Sequence, residues 1–204
     1  LSSEILARYT ATVGDHDFGV LFGYSAMEYR TWGWGVSKQG ATDWTLNDLG
    51  TYETLSGSSS TAKNGWGLRS YFGRINYAYK NRYLLEANLR ADGSSRFGSN
   101  NRYGIFPSFS AGWKIHEERF MEGTEDWLSN LKLRASWGKA GNNQGIGNYA
   151  WQAVYATQNI VVDGAGSKGL YISSLSNADL KWETTATTDI GLDMGFFDNR
   201  LTAE

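Results

Sequence analysis

A chain of 204 residues is long enough for one large domain or two small ones. Its 19 Lys and Arg against 21 Asp and Glu leave a formal charge of −2, without the basic surplus a nucleic-acid interface needs. No Cys is present, which excludes disulfides, thiolate metal sites and Cys nucleophiles, while twelve Tyr, nine Trp and 25 Gly beside a single Pro favour β structure over helix.

The first patterned runs are residues 4–13 (EILARYTATV) and 17–27 (DFGVLFGYSAM), joined by a tight connection at 14–16. Residues 28–66, rich in Gly, Ser and Trp, read as a long connection. A third run, 67–79, leads through the short turn KN at 80–81 into 82–92. There Tyr83, Leu85, Ala87, Leu89 and Ala91 alternate with Glu86, Asn88, Arg90 and Asp92, a strict period of two. After a connection at 93–103 comes GIFPSFSAGWKI (104–115), whose Pro107 cannot donate to a ladder and marks a strand end, an edge or a bulge. The polar segment 116–130 is longer than a hairpin turn and predicts one short helix near 117–128. Alternation returns in 131–137, with Leu131, Leu133, Ala135 and Trp137 against Lys132, Arg134 and Ser136. Beyond a long connection at 140–180 it returns again in 182–196, with Trp182, Ala186, Ile190, Leu192, Met194 and Phe196 against Glu183, Asp189 and Asp193. A tight DNR (198–200) opens a further strand.

Strands of soluble proteins usually run about 5 or 6 residues. Many of these runs match the roughly 9 to 11 that a tilted strand needs to cross a bilayer. Tight and long connections also alternate, as in outer-membrane barrels. There is no apolar run of about 18 residues and no signal-peptide pattern at the start, tests that a barrel passes because only alternate residues are apolar. The fold class is therefore all-β: a transmembrane antiparallel β-barrel segment of about seven to eight strands. Odd positions 83–91 and 131–137 and even positions 182–196 are expected to face lipid. Arg74, Glu86, Arg90, Lys132, Arg134, Asp189 and Asp193 form a polar, lumen-facing wall. The composition also fits a soluble carbohydrate-binding β-sandwich with large rings inside, and, third, an enzyme on that scaffold.

Motifs with chemical meaning fall short of it. DGAGSKG (163–169) has the G-x-G-x-x-G spacing, but no helical stripe follows to present N–H groups to a pyrophosphate. Gly93 and Gly98 have Walker A spacing, but Ser99 and Asn100 stand where Lys and Ser/Thr belong. His16 and His116 lie 100 residues apart in unrelated contexts, so no metal site is expected. Trp32, Trp34, Trp44, Trp66, Trp151 and Tyr155 lie in the long connections, where rings either stack on ligands or pack the loops together. No catalytic residue and no cofactor are expected.

Three blocks carry a family resemblance: SYFGRINYAYKNRYLLEANLRADGSSRFGSNNRYGIFPSFSAGWKIHEERFM, WLSNLKLRASWGKAGNNQGIGNYA and SLSNADLKWETTATTDIGLDMGFFDNRLTAE. In this order they resemble the SusC/RagA family of TonB-dependent outer-membrane transporters over most of residues 70–204. Asp92, Gly93 and Arg96 lie in the most family-like block, in what would be an extracellular loop motif. The resemblance implies a Gram-negative outer-membrane barrel of about 22 strands with a plugged lumen. It further implies import of oligosaccharides or peptides, a SusD-like surface lipoprotein and energy from a TonB complex. On that reading residues 1–204 are part of a single barrel domain, its plug and TonB-contacting segment lie outside this chain, and a passive porin is the nearest rival.

Overall fold

The computed structural model describes residues 1–41, 45, 48, 52–124 and 126–203. Ten strands are present among them: β1 (Ser2–Val13), β2 (His16–Ala41), β3 (Tyr52–Tyr79), β4 (Tyr83–Ser94), β5 (Tyr103–Lys114), β6 (Leu128–Asn142), β7 (Val154–Val162), β8 (Ala165–Ser174), β9 (Glu183–Phe196) and β10 (Leu201–Ala203). Eight form one sheet in the order β1-β2-β3-β4-β5-β6-β9-β10, every neighbouring pair antiparallel. β1 pairs only with β2 and β10 only with β9, so the sheet is an open piece of wall. The short helix expected near 117–128 takes the form of two three-residue 3-10 turns, Ile115–Glu117 and Arg119–Met121.

Turn chemistry sets the register at one end. Lys80 and Asn81 both adopt positive φ (51° and 55°), the mirror-image turn that matches strand twist, and with Arg82 they join β3 to β4 in three residues. Gly14, at φ +60°, opens the two-residue β1–β2 connection. With these registers, directly opposed residues share a face, and one row across the sheet reads Ala7, Phe22, Gly73, Leu89, Pro107. The adjacent row on the same face reads Tyr9, Val20, Ile75, Ala87, Phe109, Trp137. All of the odd positions 83–91 and 131–137 fall on this apolar face, joined by Ile190, Leu192 and Met194. Pro107 sits inside β5 opposite Leu89, one residue past the end of the β5–β6 ladder at Ser108↔Gly138, so β5 is an edge there, one of the expected settings.

The apolar face is bare. Ile190 is 75% exposed, Phe22 66% and Ile105 65%, whereas the buried apolar side chains among the described residues are Phe97, Phe106 and Leu128. A soluble chain of this size would cover such a face with a second layer; here none of the described residues does.

Two regions differ from the sequence reading. The stretch 28–66 is largely ladder: β2 and β3 run 26 and 28 residues and pair from His16↔Tyr79 out to Ala41↔Tyr52, with a bulge between Val36 and Lys38. The connection 140–180 contains the β7–β8 hairpin, a separate two-stranded sheet whose turn is Asp163–Gly164, both at positive φ (52° and 78°). The G-x-G-x-x-G spacing is thus a hairpin turn and the strand that follows it.

Candidate functional site

On the face opposite the apolar rows the polar residues meet in pairs. Arg74 Nε donates to Asn88 Oδ1 at 2.7 Å and lies 3.9 Å from Glu86, to which Asn88 also donates. Arg90 Nε contacts Asp92 at 2.7 Å and its Nη2 donates to Ser70 Oγ at 2.9 Å, the guanidinium lying over the Phe72 ring. Arg134 donates to Asp193 at 2.9 Å and stands 3.7 Å from Asp189. Lys132 is abreast of Lys114 on one side and Asp193 on the other. The seven predicted wall residues therefore share one face. Thr10, Asn76, Glu86, Ser110, Arg134 and Asp189, from six strands, line a single trough of ≈ 720 Å³ on it. On this face Glu86, Asp189 and Asp193 each lie within 4 Å of an arginine side chain.

The end with long connections is organised by the β4–β5 loop. Asp92, Gly93 and Ser94 end β4; a Cβ on Gly93 would lie 2.6 Å from the Tyr103 ring, which would have to move to admit it. Arg96 turns across the neighbouring connection. Its Nε donates to Asn148 Oδ1 at 2.9 Å, its Nη1 to the Asn143 carbonyl at 2.8 Å, and its guanidinium carbon sits 5.4 Å from the Trp66 ring centre. Ser94 is fully buried, and its Oγ accepts from Asn143 Nδ2. Phe97 is fully buried with its ring 5.3 Å from that of Trp182, and Trp182 Nε1 donates to the Arg102 carbonyl. Alternation assigns Trp182 to the lipid-facing row, but it lies one residue before β9 and turns onto Phe97 and Phe106 instead. Phe106 stands on the opposite face, abreast of Arg90.

The loop aromatics divide. Trp66 is taken up beneath Arg96 and stacks on Tyr29, and Trp151 lies beside Gly98. Trp32 and Trp34 are about four-fifths exposed on the long β2–β3 ribbon, Lys63 lying over the Trp32 ring, and Tyr155 is exposed on β7. Trp44 falls outside the described residues.

The other end holds a cluster the sequence did not announce. Glu118, between the two 3-10 turns, accepts from Tyr83 Oη at 2.5 Å, from Trp113 Nε1 at 3.1 Å and from Arg82 Nη1 at 3.2 Å. The Tyr83 hydrogen bond, then that of Trp113, holds its carboxyl below the ordinary 4.5, with Arg82 adding to the effect. Tyr79, Tyr83 and Trp113 stack in a row above it. An acid five residues after a strand-end Trp was the available signal, too common to single out.

A long-stranded antiparallel wall, bare and apolar on one side and paired and polar on the other, defines an outer-membrane β-barrel segment. Residues 3–204 match the family described as TonB dependent receptor-like, beta-barrel, and the chain belongs to that family. Among its relatives, the TonB-dependent receptor SusC of Bacteroides thetaiotaomicron is 37% identical over 99% of this chain and 20% of its own length. The TonB-dependent receptor P26 of Formosa agariphila is 42% identical over 78% of this chain and 16% of its own. The structure of the RagAB peptide transporter superposes with a TM-score of 0.87 at 33% identity, covering 98% of this chain and 22% of that one. The chain thus spans about a fifth of the length of these proteins. The family consists of receptors and transporters, and no enzyme is named among these relatives.

Proposed function

We propose that these residues are part of the barrel wall of a TonB-dependent active transporter that imports oligosaccharides or peptides across a Gram-negative outer membrane. The observation that carries the reading is the bare apolar face backed by a paired polar one, with almost nothing buried between. The apolar rows would contact lipid and the Arg74–Asp193 wall the lumen, so the short turns are periplasmic and the β4–β5, β6–β7 and β8–β9 connections extracellular. Likeness to SusC and to the RagAB peptide transporter supports the substrate classes and a SusD-like surface lipoprotein as partner. Residues 1–204 form one barrel domain with the rest of the strands. The plug and the segment that contacts TonB belong to the receptor outside them. Exposed Trp32, Trp34 and Tyr155 are the loop aromatics best placed to meet substrate or lipoprotein. Uptake of labelled oligosaccharide or peptide by the full receptor tests this directly. It should stop when TonB is deleted, whereas uptake that persists identifies a passive porin.

A further inference from the structure

The β7–β8 hairpin is an anomaly in a sheet protein. Two strands alone are marginal in water, and this pair belongs to no larger sheet while exposing Tyr155, Val161, Leu170 and Ile172. Something must hold it, and the fixings lie at its two legs.

Both legs end on the same loop. The incoming leg, which leaves β6, is fixed by Arg96 through the Asn143 carbonyl and Asn148 Oδ1. Asn148 Nδ2 in turn donates to Asn64 Oδ1 on β3 at 2.7 Å. The outgoing leg, which enters β9, is fixed by the neighbouring residue: Phe97 is buried against Trp182, while Asn101 Nδ2 reaches the Ala178 carbonyl. The β4–β5 loop is itself tied down, since Ser95 exchanges hydrogen bonds with Gly67 through its backbone N–H and its Oγ, and Ser94 N–H donates to the Arg102 carbonyl. A guanidinium suits the first leg because its planar fork serves two acceptors at once while its face rests on Trp66; an ammonium would have to choose.

We propose that Arg96 is a positioning residue: the β4–β5 loop is the base on which the β7–β8 hairpin stands, and Arg96 fixes the direction in which that hairpin projects. The proposal deepens the transporter reading, since a hairpin aimed over the mouth of the barrel would set how substrate or lipoprotein is met. Its geometric part can be read without any transport.

In the full-length receptor, freed of any other cysteines, nitroxides at Ser2→Cys and Lys168→Cys report the distance from the sheet to the hairpin. Arg96→Ala should broaden the distance distribution about twofold, as for a segment dropped to the low end of local stability. Asn148→Ala, which leaves the loop and Arg96 in place, should broaden it less. Arg96→Lys should not restore the narrow distribution, and exposed Asn100→Ala should leave it unchanged. Heat-modifiable gel mobility shows that each variant is a folded barrel. Should Arg96→Ala fail to fold, Asn148→Ala decides. A distribution as narrow as the parent's in the folded variants overturns the proposal. In uptake, the half-saturation concentration should rise while the maximal rate holds, and a fall in maximal rate alone would also overturn it. If the parent shows no TonB-dependent uptake, the transporter reading falls while the distance measurement still decides the role of Arg96.

Discussion

Each end of the sheet gathers one charged side chain against aromatic rings, and the two gatherings work differently. At the short-turn end Glu118 draws on Trp113, five residues away, and on the first turn of the adjacent hairpin, so it fastens segments the strand ladder has already brought together. At the other end Arg96 reaches 47 and 52 residues along the chain to Asn143 and Asn148, joining segments that no ladder connects. The first cluster seals a local arrangement, and the second creates a non-local one. Removing the second should therefore release a larger piece of structure.

Phe97→Ala should have the largest effect. Emptying a fully buried aromatic site costs about 3–5 kcal/mol. Hydrogen exchange should show the loss of protection in 143–151 and 174–182 and spare the turns at 115–121. Equal loss at both ends would show that the two clusters are not separate units.

Between the clusters lies the wall, and there the two faces can be set against each other. Leu133→Arg puts a charge at mid-strand on the apolar face and should cost about 2–4 kcal/mol in a bilayer. Arg134→Ser, one residue on, removes a partly exposed pair with Asp193 and should cost only about 0–1 kcal/mol. Equal losses in a folding titration from urea into vesicles would sink the assignment of faces.

That contrast also explains what could be read from sequence. Tyr83–Asp92 and Leu131–Trp137 were legible because their two faces meet different surroundings, and such a difference leaves a period of two. The ribbons at Glu28–Gly40 and in β7–β8 are open to solvent on both faces along much of their length, so they carry no such period and read as loops. Asp163–Gly164 is a local mark of the β7–β8 hairpin, but without a period of two in the residues flanking it the stretch read only as part of a long connection. That the seven polar residues share one face follows from their parity. The partners of Arg96 and Glu118 do not, because pairing across connections follows from tertiary placement and leaves no spacing rule.

A smaller effect isolates that hairpin. Gly164 sits at φ +78° with nothing within 4 Å of where a Cβ would stand, so Gly164→Ala has no clash to relieve and pays only for the left-handed backbone, about 1 kcal/mol. Exchange should quicken in 154–174 and nowhere in the eight-stranded sheet. Spread into β9 would mean that hairpin and wall fold as one unit.

The smallest effect separates the two ends by chemistry. Because its partners hold the Glu118 carboxyl below 4.5, the folded state binds a proton there less readily than the unfolded chain does. Its contribution is complete above the ordinary carboxylate range and fades as pH falls through 4.5 and then through the lowered value. The Arg96 guanidinium is held by the Asn143 carbonyl and Asn148 Oδ1, neither of them a carboxylate. Acidification should thus raise exchange in 115–121 before it does so in 143–151, and Glu118→Gln should remove that difference without changing the neighbouring Glu117 and His116. If the wild-type short-turn end loosens with acid just as the Gln variant does, the three donors around Glu118 are not what fastens it. The comparison between the ends would then rest on Arg96 and Phe97 alone.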